Sequence, residues 1–210
     1  MLVLYDKPEC PFCWRVRMCL ARVEADHELR SFDAPEWQAI WPSLSARGTV
    51  PVMVDGDLVM TDSRVMLEYL EDAYGGTLPL SAEGRARVRE LILYTDEVLG
   101  PAARDLIFEC RGKPPEQRDQ ALLADAQARW YAALPKLETL LGDQPWFVGR
   151  CSQADYALAT RFALAQAYGM SLFDRDTPLR AWFERVMLRE EVLNSAPPSV
   201  TQALARVSDL

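Results

Sequence analysis

A pair of cysteines three residues apart, Cys10 and Cys13, follows a short apolar segment and limits the folds that this chain can adopt. Residues 2–5 have the length and composition of a buried strand, and a proline-containing loop follows them. In residues 11–25 apolar side chains recur every three or four positions, which predicts an amphipathic helix with a proline in its first turn. Cys10 therefore lies where a strand and a loop lead into the N-terminus of a helix.

The N-terminus of a helix favours the thiolate form of a cysteine. Free amide groups and the positive end of the helix dipole stabilise negative charge there, and the thiol pKa can fall from roughly 8.5 into the range of about 3.5–7.5. Cys13, one turn into the helix, is close enough to form a disulfide with Cys10. We therefore predict a redox-active pair in which Cys10 is the nucleophile and Cys13 is the resolving thiol.

Other interpretations apply to the same residues. A zinc site requires about four Cys or His ligands, and the other three cysteines and His27 form no second closely spaced pair, so no metal is expected. Cys10 and Cys13 could instead be two inert core thiols. Nothing in the sequence places His27 near Cys10 as a catalytic partner, so His27 is interpreted as a packing or surface residue. The helix N-terminus is then the predicted source of thiol activation.

Composition and charge exclude several classes of protein. The 210 residues are half apolar and 26% charged, as in a soluble globular protein of one or two domains. With 31 acidic and 23 basic side chains, the net charge of −8 offers no basic surface for nucleic acid. No stretch approaches about 18 apolar residues and the N-terminus lacks a basic leader, so we expect a cytoplasmic protein without a membrane segment. The five cysteines are too sparse for a secreted disulfide framework.

The rest of the first half predicts a mixed α/β unit. A second short strand comes next, and residues 33–41 predict a short irregular helix that Pro42 ends. Residues 49–60 contain two strand segments around an Asp-Gly turn signal and predict a hairpin. A helix capped by Asp62 or Ser63 follows. The predicted order of elements is β-α-β-α-β-β-α.

The second half of the chain predicts helices throughout. Two glycines and a proline mark a boundary, with a first domain over residues 1–75, a linker over 76–81 and an all-helical domain over 82–210. The predicted helices cover about residues 82–111, 116–141, 153–168, 178–189 and 199–208. Ser152 and Asp155 form a predicted capping box at the start of the third of these helices, so we assign both residues to folding and not to catalysis.

Three segments resemble known families. The run Lys7-Pro8-Glu9-Cys10-Pro11-Phe12-Cys13 resembles the active-site segment of dithiol glutaredoxins, and Thr49-Val50-Pro51 resembles their cis-proline segment. The helical remainder, with its Ser152-Gln153-Ala154-Asp155 box, resembles the C-terminal domain of cytosolic glutathione transferases. The resemblance implies an α/β thioredoxin-like N-terminal domain followed by an all-α C-terminal domain, which together form the glutathione transferase fold.

The resemblance also implies where glutathione binds. Val50, before a cis Pro51, would pair its backbone with the cysteinyl part of the tripeptide, since an X-Pro bond is the kind for which cis costs little. Asp62 and Ser63 occupy the position that holds the γ-glutamyl end, although a plain helix N-cap would select the same residue types. Lys7 occupies the place of a basic residue near the thiolate, or is an ordinary solvated lysine.

Other parts of the implied site are less well defined. Thr49 stands where transferases often carry a basic residue, so Arg47 or Arg15 is expected to bind the glycyl carboxylate. Thr49 itself and Phe12, which lies between the two cysteines, are expected to contact glutathione. An apolar wall for the second substrate is expected from aromatic side chains that would otherwise be core residues: Trp14, Tyr94, Phe108, Trp130 and Tyr131.

The predicted function is that of a glutathione-dependent thiol-disulfide oxidoreductase, or thiol transferase, that uses the Cys10 thiolate and takes glutathione as cosubstrate. One alternative is a glutathione transferase that conjugates small electrophiles or reductively removes glutathione from them. Another is a non-enzymatic interaction protein of the same fold, because residues 63–70 resemble the stringent starvation protein A group. The expected partners are glutathione and a disulfide or electrophilic substrate, and the resemblance also suggests a homodimer.

Overall fold

The computed structural model describes residues 1–38, 40–79 and 81–208. The four strands are β1 (Leu2–Asp6), β2 (His27–Ser31), β3 (Val52–Asp55) and β4 (Leu58–Met60). The helices of the first half are α1 (Pro11–Arg22), α2 (Pro35–Gln38), α3 (Trp41–Leu44) and α4 (Ser63–Tyr74). Those of the second half are α5 (Ala82–Tyr94), α6 (Gly100–Gly112), α7 (Gln120–Leu141), α8 (Gln153–Ala167), α9 (Pro178–Met187), α10 (Glu190–Leu193) and α11 (Pro198–Ser208). A π-helical segment, Thr95–Leu99, joins α5 to α6, and a 3₁₀ turn, Pro115–Gln117, precedes α7.

The strands form one sheet in the order β2-β1-β3-β4. Strand β1 is parallel to β2 and antiparallel to β3, and β3 and β4 form the predicted hairpin. Every residue of β1 is buried, and its first four residues are apolar, as expected for a strand that is covered on both faces. The β-α-β-α-β-β-α order and the helical second half confirm the predicted fold class, an α/β thioredoxin-like part followed by an all-α part.

Two local predictions were wrong. The segment predicted as one irregular helix ending at Pro42 forms two short helices, and Pro42 lies in the first turn of α3. A proline is tolerated there because the first amides of a helix have no partner within the helix. The helix predicted over residues 82–111 is interrupted by the π-helical segment, a feature that hydrophobic periodicity does not reveal.

The two halves share a continuous apolar core. Helix α1 packs against both α4 and α8, and the indole nitrogen of Trp14 donates to Ser195 Oγ at 3.0 Å. Within the predicted linker, Thr77 is buried and donates its amide and hydroxyl to Glu71 Oε2, while Gln153 Nε2 donates to Thr77 Oγ1. Residue 80 of the linker and residues 209 and 210 of the helical domain lie outside the described residues. The division into two domains stays a prediction.

The predicted capping box is confirmed at the start of α8. Both the amide and the hydroxyl of Ser152 donate to Asp155 Oδ2, at 2.8 and 2.9 Å, and the indole nitrogen of Trp182 donates to Asp155 Oδ1 at 2.8 Å. Ser152, Asp155 and Trp182 are all fully buried. The Asp155 carboxylate thus holds the N-terminus of α8 and fixes α9 against it.

Within the described part of the chain, no helix combines the length and the apolar character needed to cross a membrane.

Candidate active site around Cys10

Cys10 lies in the loop between β1 and α1 and is the N-cap residue of α1, with Pro11 in the first helical position. Its Sγ atom is 4.0 Å from the carbonyl oxygen of Val50, and the Val50-Pro51 peptide bond is cis. The fold therefore brings together the two segments on which the sequence comparison with glutaredoxins rests, although 40 residues separate them.

The surroundings of Cys10 favour its thiolate. The Cys13 thiol donates to the Cys10 sulfur, the amides of Cys13 and Phe12 also donate to it, and the Arg161 guanidinium adds positive charge. Together these effects outweigh burial and lower the pKa of Cys10 to about 7. Burial, followed by the hydrogen bond to Cys10, raises the pKa of Cys13, so Cys13 stays a protonated donor near neutral pH. The prediction that the helix N-terminus alone activates Cys10 was therefore incomplete.

Replacing Cys13 by alanine is expected to raise the pKa of Cys10, because the alanine removes the donor to its sulfur. A rise of about one unit would slow alkylation of Cys10 at pH 6 by about tenfold. Cys13→Ser retains a hydroxyl donor and should show a smaller effect. Alkylation of the Cys10-containing peptide, followed by mass spectrometry, measures both variants. If Cys13→Ala left the pH profile unchanged, Cys13 would act only as a resolving thiol.

A cleft of about 370 Å³ lies on the Val50 side of Cys10, between α1, the β3 entry, the start of α4 and the π-helical segment. Six of the residues predicted to contact glutathione line it: Phe12, Thr49, Val50, Pro51, Asp62 and Ser63. Arg15 and Arg47, the two candidates for a carboxylate, line it as well. Of the residues predicted to contact glutathione, Lys7 alone is not among those that line this cleft, and the predicted catalytic residues Cys10 and Cys13 are not among them either.

Lys7 contributes its backbone to the active-site loop, because its carbonyl oxygen accepts the Cys10 amide at 3.0 Å. Its ammonium group lies 3.0 Å from an Asp33 carboxylate oxygen and 4.5 Å from the centre of the Phe32 ring. The side chain is therefore already paired, and Arg161 supplies the positive charge near the thiolate.

Asp62 and Ser63 have different roles at the start of α4. Asp62 is the N-cap residue, and its carboxylate accepts the Arg64 amide at 2.9 Å and pairs with the Arg64 guanidinium at 3.0 Å. These hydrogen bonds lower the pKa of Asp62. Ser63 is buried, and its hydroxyl accepts from Arg15 Nη2 at 2.6 Å. Asp62, and not Ser63, therefore caps α4. The Ser63 hydroxyl instead binds Arg15, which lines the cleft.

Sequence reasoning missed Asp96 and Arg161. Asp96 lies in the π-helical segment, and its two carboxylate oxygens accept hydrogen bonds from both Nη atoms of Arg15 at 2.9–3.1 Å and from Arg161 at 3.3 Å. A signal for Arg161 was present: it is the one basic residue in α8, a helix that is buried on all sides. Asp96 carried no signal, because it reads as an ordinary polar residue of a long helix.

The predicted aromatic wall was wrong for its two tryptophans. Trp14 and Trp130 are completely buried, and each donates its indole N–H to a partner within the fold. Tyr94 donates to the Ala133 carbonyl oxygen, while Phe108 is 58% exposed on α6. Tyr131 packs against the core. Aromatic residues at helical spacing mostly fill the core of this protein, and none of these five lines the cleft beside Cys10.

His27 is partly buried at the start of β2, and its Nδ1 lies 2.7 Å from the Ala25 carbonyl oxygen. This agrees with its interpretation as a packing or surface residue. Among the described residues, no group of three or more His, Cys, Asp or Glu side chains could hold a metal ion.

The Cys10 thiol near a cis-proline, on a four-stranded mixed sheet joined to a helical second half, is the arrangement of a thioredoxin-like domain followed by an all-α part. Family models agree: residues 4–78 match the N-terminal domain of glutathione S-transferase, and residues 101–190 match its C-terminal domain. The chain belongs to the cytosolic glutathione transferase superfamily.

Individual relatives are distant. Glutathione S-transferase D7 of Anopheles gambiae is 27% identical over 192 residues, which cover 87% of this chain and 84% of the relative. A stringent starvation protein A homolog of Histophilus somni is 24% identical over 209 residues, covering 93% and 89%. A solved Pseudomonas putida glutathione transferase, with one glutathione disulfide bound per subunit, superposes with a TM-score of 0.80 at 20% identity, covering 92% of this chain and 90% of the other.

Proposed function

We propose that this protein is a glutathione-dependent thiol-disulfide oxidoreductase, or thiol transferase, with Cys10 as its nucleophile. The observation that carries the proposal is the position of Cys10: it is the N-cap residue of α1, its sulfur lies 4.0 Å from the carbonyl oxygen of Val50, which lines the cleft, and its pKa is lowered to about 7. A thiol with such a pKa is partly ionised at neutral pH and is also a good leaving group. Disulfide exchange requires both properties.

In the first step, the Cys10 thiolate attacks one sulfur of a mixed disulfide between glutathione and a second thiol. A bond forms between Cys10 and the glutathione sulfur, the original S–S bond breaks, and the second thiol leaves as a thiolate that takes a proton from solvent. In the second step, the thiolate of another glutathione attacks this intermediate. The products are glutathione disulfide and the regenerated Cys10 thiolate, so two electrons pass from glutathione to the substrate.

Cys13 offers a second route, in which it attacks the intermediate and forms a disulfide with Cys10. That route requires Cys13 to lose its proton. Because Cys13 is fully buried and its pKa is raised, we assign the main route to the second glutathione. A Cys13→Ser variant should then retain most of the activity.

The cleft supports glutathione as the cosubstrate. Val50 offers the backbone groups next to the cis-proline, and Ser63, joined to Arg15, offers polar donors at the N-terminus of α4. Arg47, also at the cleft, is our choice for the glycyl carboxylate, since Arg15 is bound to Asp96. The glutathione disulfide in the related Pseudomonas putida structure also supports glutathione as the cosubstrate.

The proposal is tested by assaying the purified full-length protein for glutathione-dependent reduction of a small mixed disulfide and, in parallel, for conjugation of glutathione to an aryl halide. We expect disulfide reduction to dominate. Strong conjugation with negligible disulfide reduction would favour the conjugating transferase instead. Absence of both activities, together with no binding of glutathione in calorimetry, would favour an interaction protein like the stringent starvation protein A homologs. A homodimer and a cytoplasmic location stay predictions.

A further inference from the structure

Two guanidinium groups lie over the ring of Phe12, one of the two residues between the cysteines. The Cζ atoms of Arg161 and Arg15 lie 4.6 and 5.0 Å from the centre of the Phe12 ring. Both guanidinium groups bind the Asp96 carboxylate. These four residues, which we call the Phe12 cluster, come from α1, the π-helical segment and α8. The cluster therefore connects the active-site helix directly to the core helix of the second half.

The Phe12 cluster carries an excess of positive charge in a buried place. Arg15 and Arg161 are only 2% and 7% exposed, and they share one carboxylate, Asp96. The Nε atom of Arg15 is buried without a hydrogen-bond partner among the described residues. A buried charge without a counter-charge destabilises the folded protein, so a nearby anion would stabilise this cluster.

The fold also makes room for Arg161. A Cβ atom on Gly100 would lie 3.3 Å from both Cζ and Nη2 of Arg161, which is closer than side chains normally approach. The absence of a side chain at Gly100 thus lets the guanidinium reach Phe12 and Asp96 together. The long Arg161 side chain is held in one place by packing, an aromatic ring and a carboxylate.

Phe12 links this cluster to the reacting sulfur. The Phe12 amide donates to the Cys10 sulfur, and its ring lies under the two guanidinium groups. The other charged side chains around the active-site loop have partners of their own: Lys7 with Asp33, Glu9 with Ser199, Arg17 with Asp6, and Arg64 with Asp62. Within the Phe12 cluster, Arg161 is the cation that contributes to the lowered pKa of Cys10.

We propose that Arg161 is a positioning residue for the Cys10 thiolate, supplying from the helical half both positive charge and a hold on the Phe12 ring. The inference rests on the proposed function only in that Cys10 is taken as the reacting thiol. It assigns part of the thiol activation to the second half of the chain, which the active-site motif does not include. Activation by the motif alone would leave Cys10 unaffected by changes at Arg161.

The test is the pH dependence of Cys10 alkylation by iodoacetamide in Arg161→Met, Arg161→Gln and Arg161→Lys, read on the Cys10 peptide by mass spectrometry. The Arg161→Met and Arg161→Gln variants remove the positive charge of Arg161 and leave Arg15 and Asp96 as a pair without net charge. Either variant that folds therefore provides the test. Arg161 contributes less to the lowered pKa of Cys10 than the Cys13 thiol does, so its loss should raise that pKa by about half a unit and slow alkylation at pH 6 by about threefold. Arg161→Lys keeps the charge without the planar guanidinium, so this variant should recover part of the rate.

A folded Arg161→Met or Arg161→Gln variant with the wild-type pH profile would overturn the proposal. The same result in Arg161→Lys as in Arg161→Met would overturn the part assigned to charge. Arg111→Met is a matched control, since Arg111 lies over the Phe108 ring on the exposed side of α6 and should leave the profile unchanged. Alkylation requires neither glutathione nor turnover. The measurement therefore remains valid if the proposed disulfide reductase activity is absent.

Discussion

Cys10→Ser is expected to lower glutathione-dependent disulfide reduction on the order of a thousandfold or more. A serine hydroxyl is un-ionised at neutral pH, and an alkoxide neither attacks sulfur as readily nor leaves as easily as a thiolate. The Cys10 sulfur is the atom at the α1 N-terminus that lies near the Val50 carbonyl oxygen, and serine is similar in size to cysteine and is itself a favoured N-cap residue. The fold of the variant should therefore be retained.

The matched control is Cys110→Ser, because Cys110 is the other partly exposed thiol and lies far along α6. Cys110→Ser should keep full activity. The result that would count against Cys10 as nucleophile is a Cys10→Ser variant with more than about a tenth of the wild-type rate.

The largest expected effect on stability comes from Asp155→Ala. This substitution leaves the amide and hydroxyl of Ser152 and the indole N–H of Trp182 without an acceptor in a fully buried place. Each unsatisfied buried donor costs about 1–3 kcal/mol, so the free energy of unfolding should fall by about 3–5 kcal/mol. Urea unfolding followed by circular dichroism measures the change.

Two controls separate the parts of this effect. Asp155→Asn keeps one carbonyl oxygen as acceptor and should cost less than Asp155→Ala. Ser152→Ala removes the capping hydroxyl alone and should cost about 0.5–2 kcal/mol. A loss of less than about 1 kcal/mol in Asp155→Ala would show that the hydrogen bonds of the box contribute little to the stability of this protein.

Local patterns in the sequence were sufficient for most of the fold. The apolar run of β1, the period of α1 and the Asp-Gly turn each depend on neighbours in the chain, and all three form as predicted. The two short helices around Pro42 were not predicted, because short helices depend on the core they pack against more than on their own sequence. Trp37 and Trp41, which contact Tyr5, show this dependence.

In the candidate site, too, the residues of short local motifs could be predicted, whereas pairings between residues far apart in the sequence could not. Val50 and Pro51 could be predicted because a short motif fixes them next to Cys10. Arg15 was considered for a substrate carboxylate, but the structure joins it to Asp96, 81 residues away, through a pairing that no local pattern contains. The partner of Lys7 was missed for the same reason, since Asp33 lies in an irregular segment between β2 and α2.

The pH dependence of Cys10 alkylation in the wild-type protein tests the central claim most directly, since every step proposed here begins with the Cys10 thiolate. The rate at the Cys10 peptide is expected to rise about tenfold per pH unit below pH 7, because each unit multiplies the thiolate fraction by ten while most of the thiol is protonated. It should level off above the pKa of Cys10, which is about 7. A profile that continues to rise until about pH 9, as for an ordinary thiol, would contradict the account.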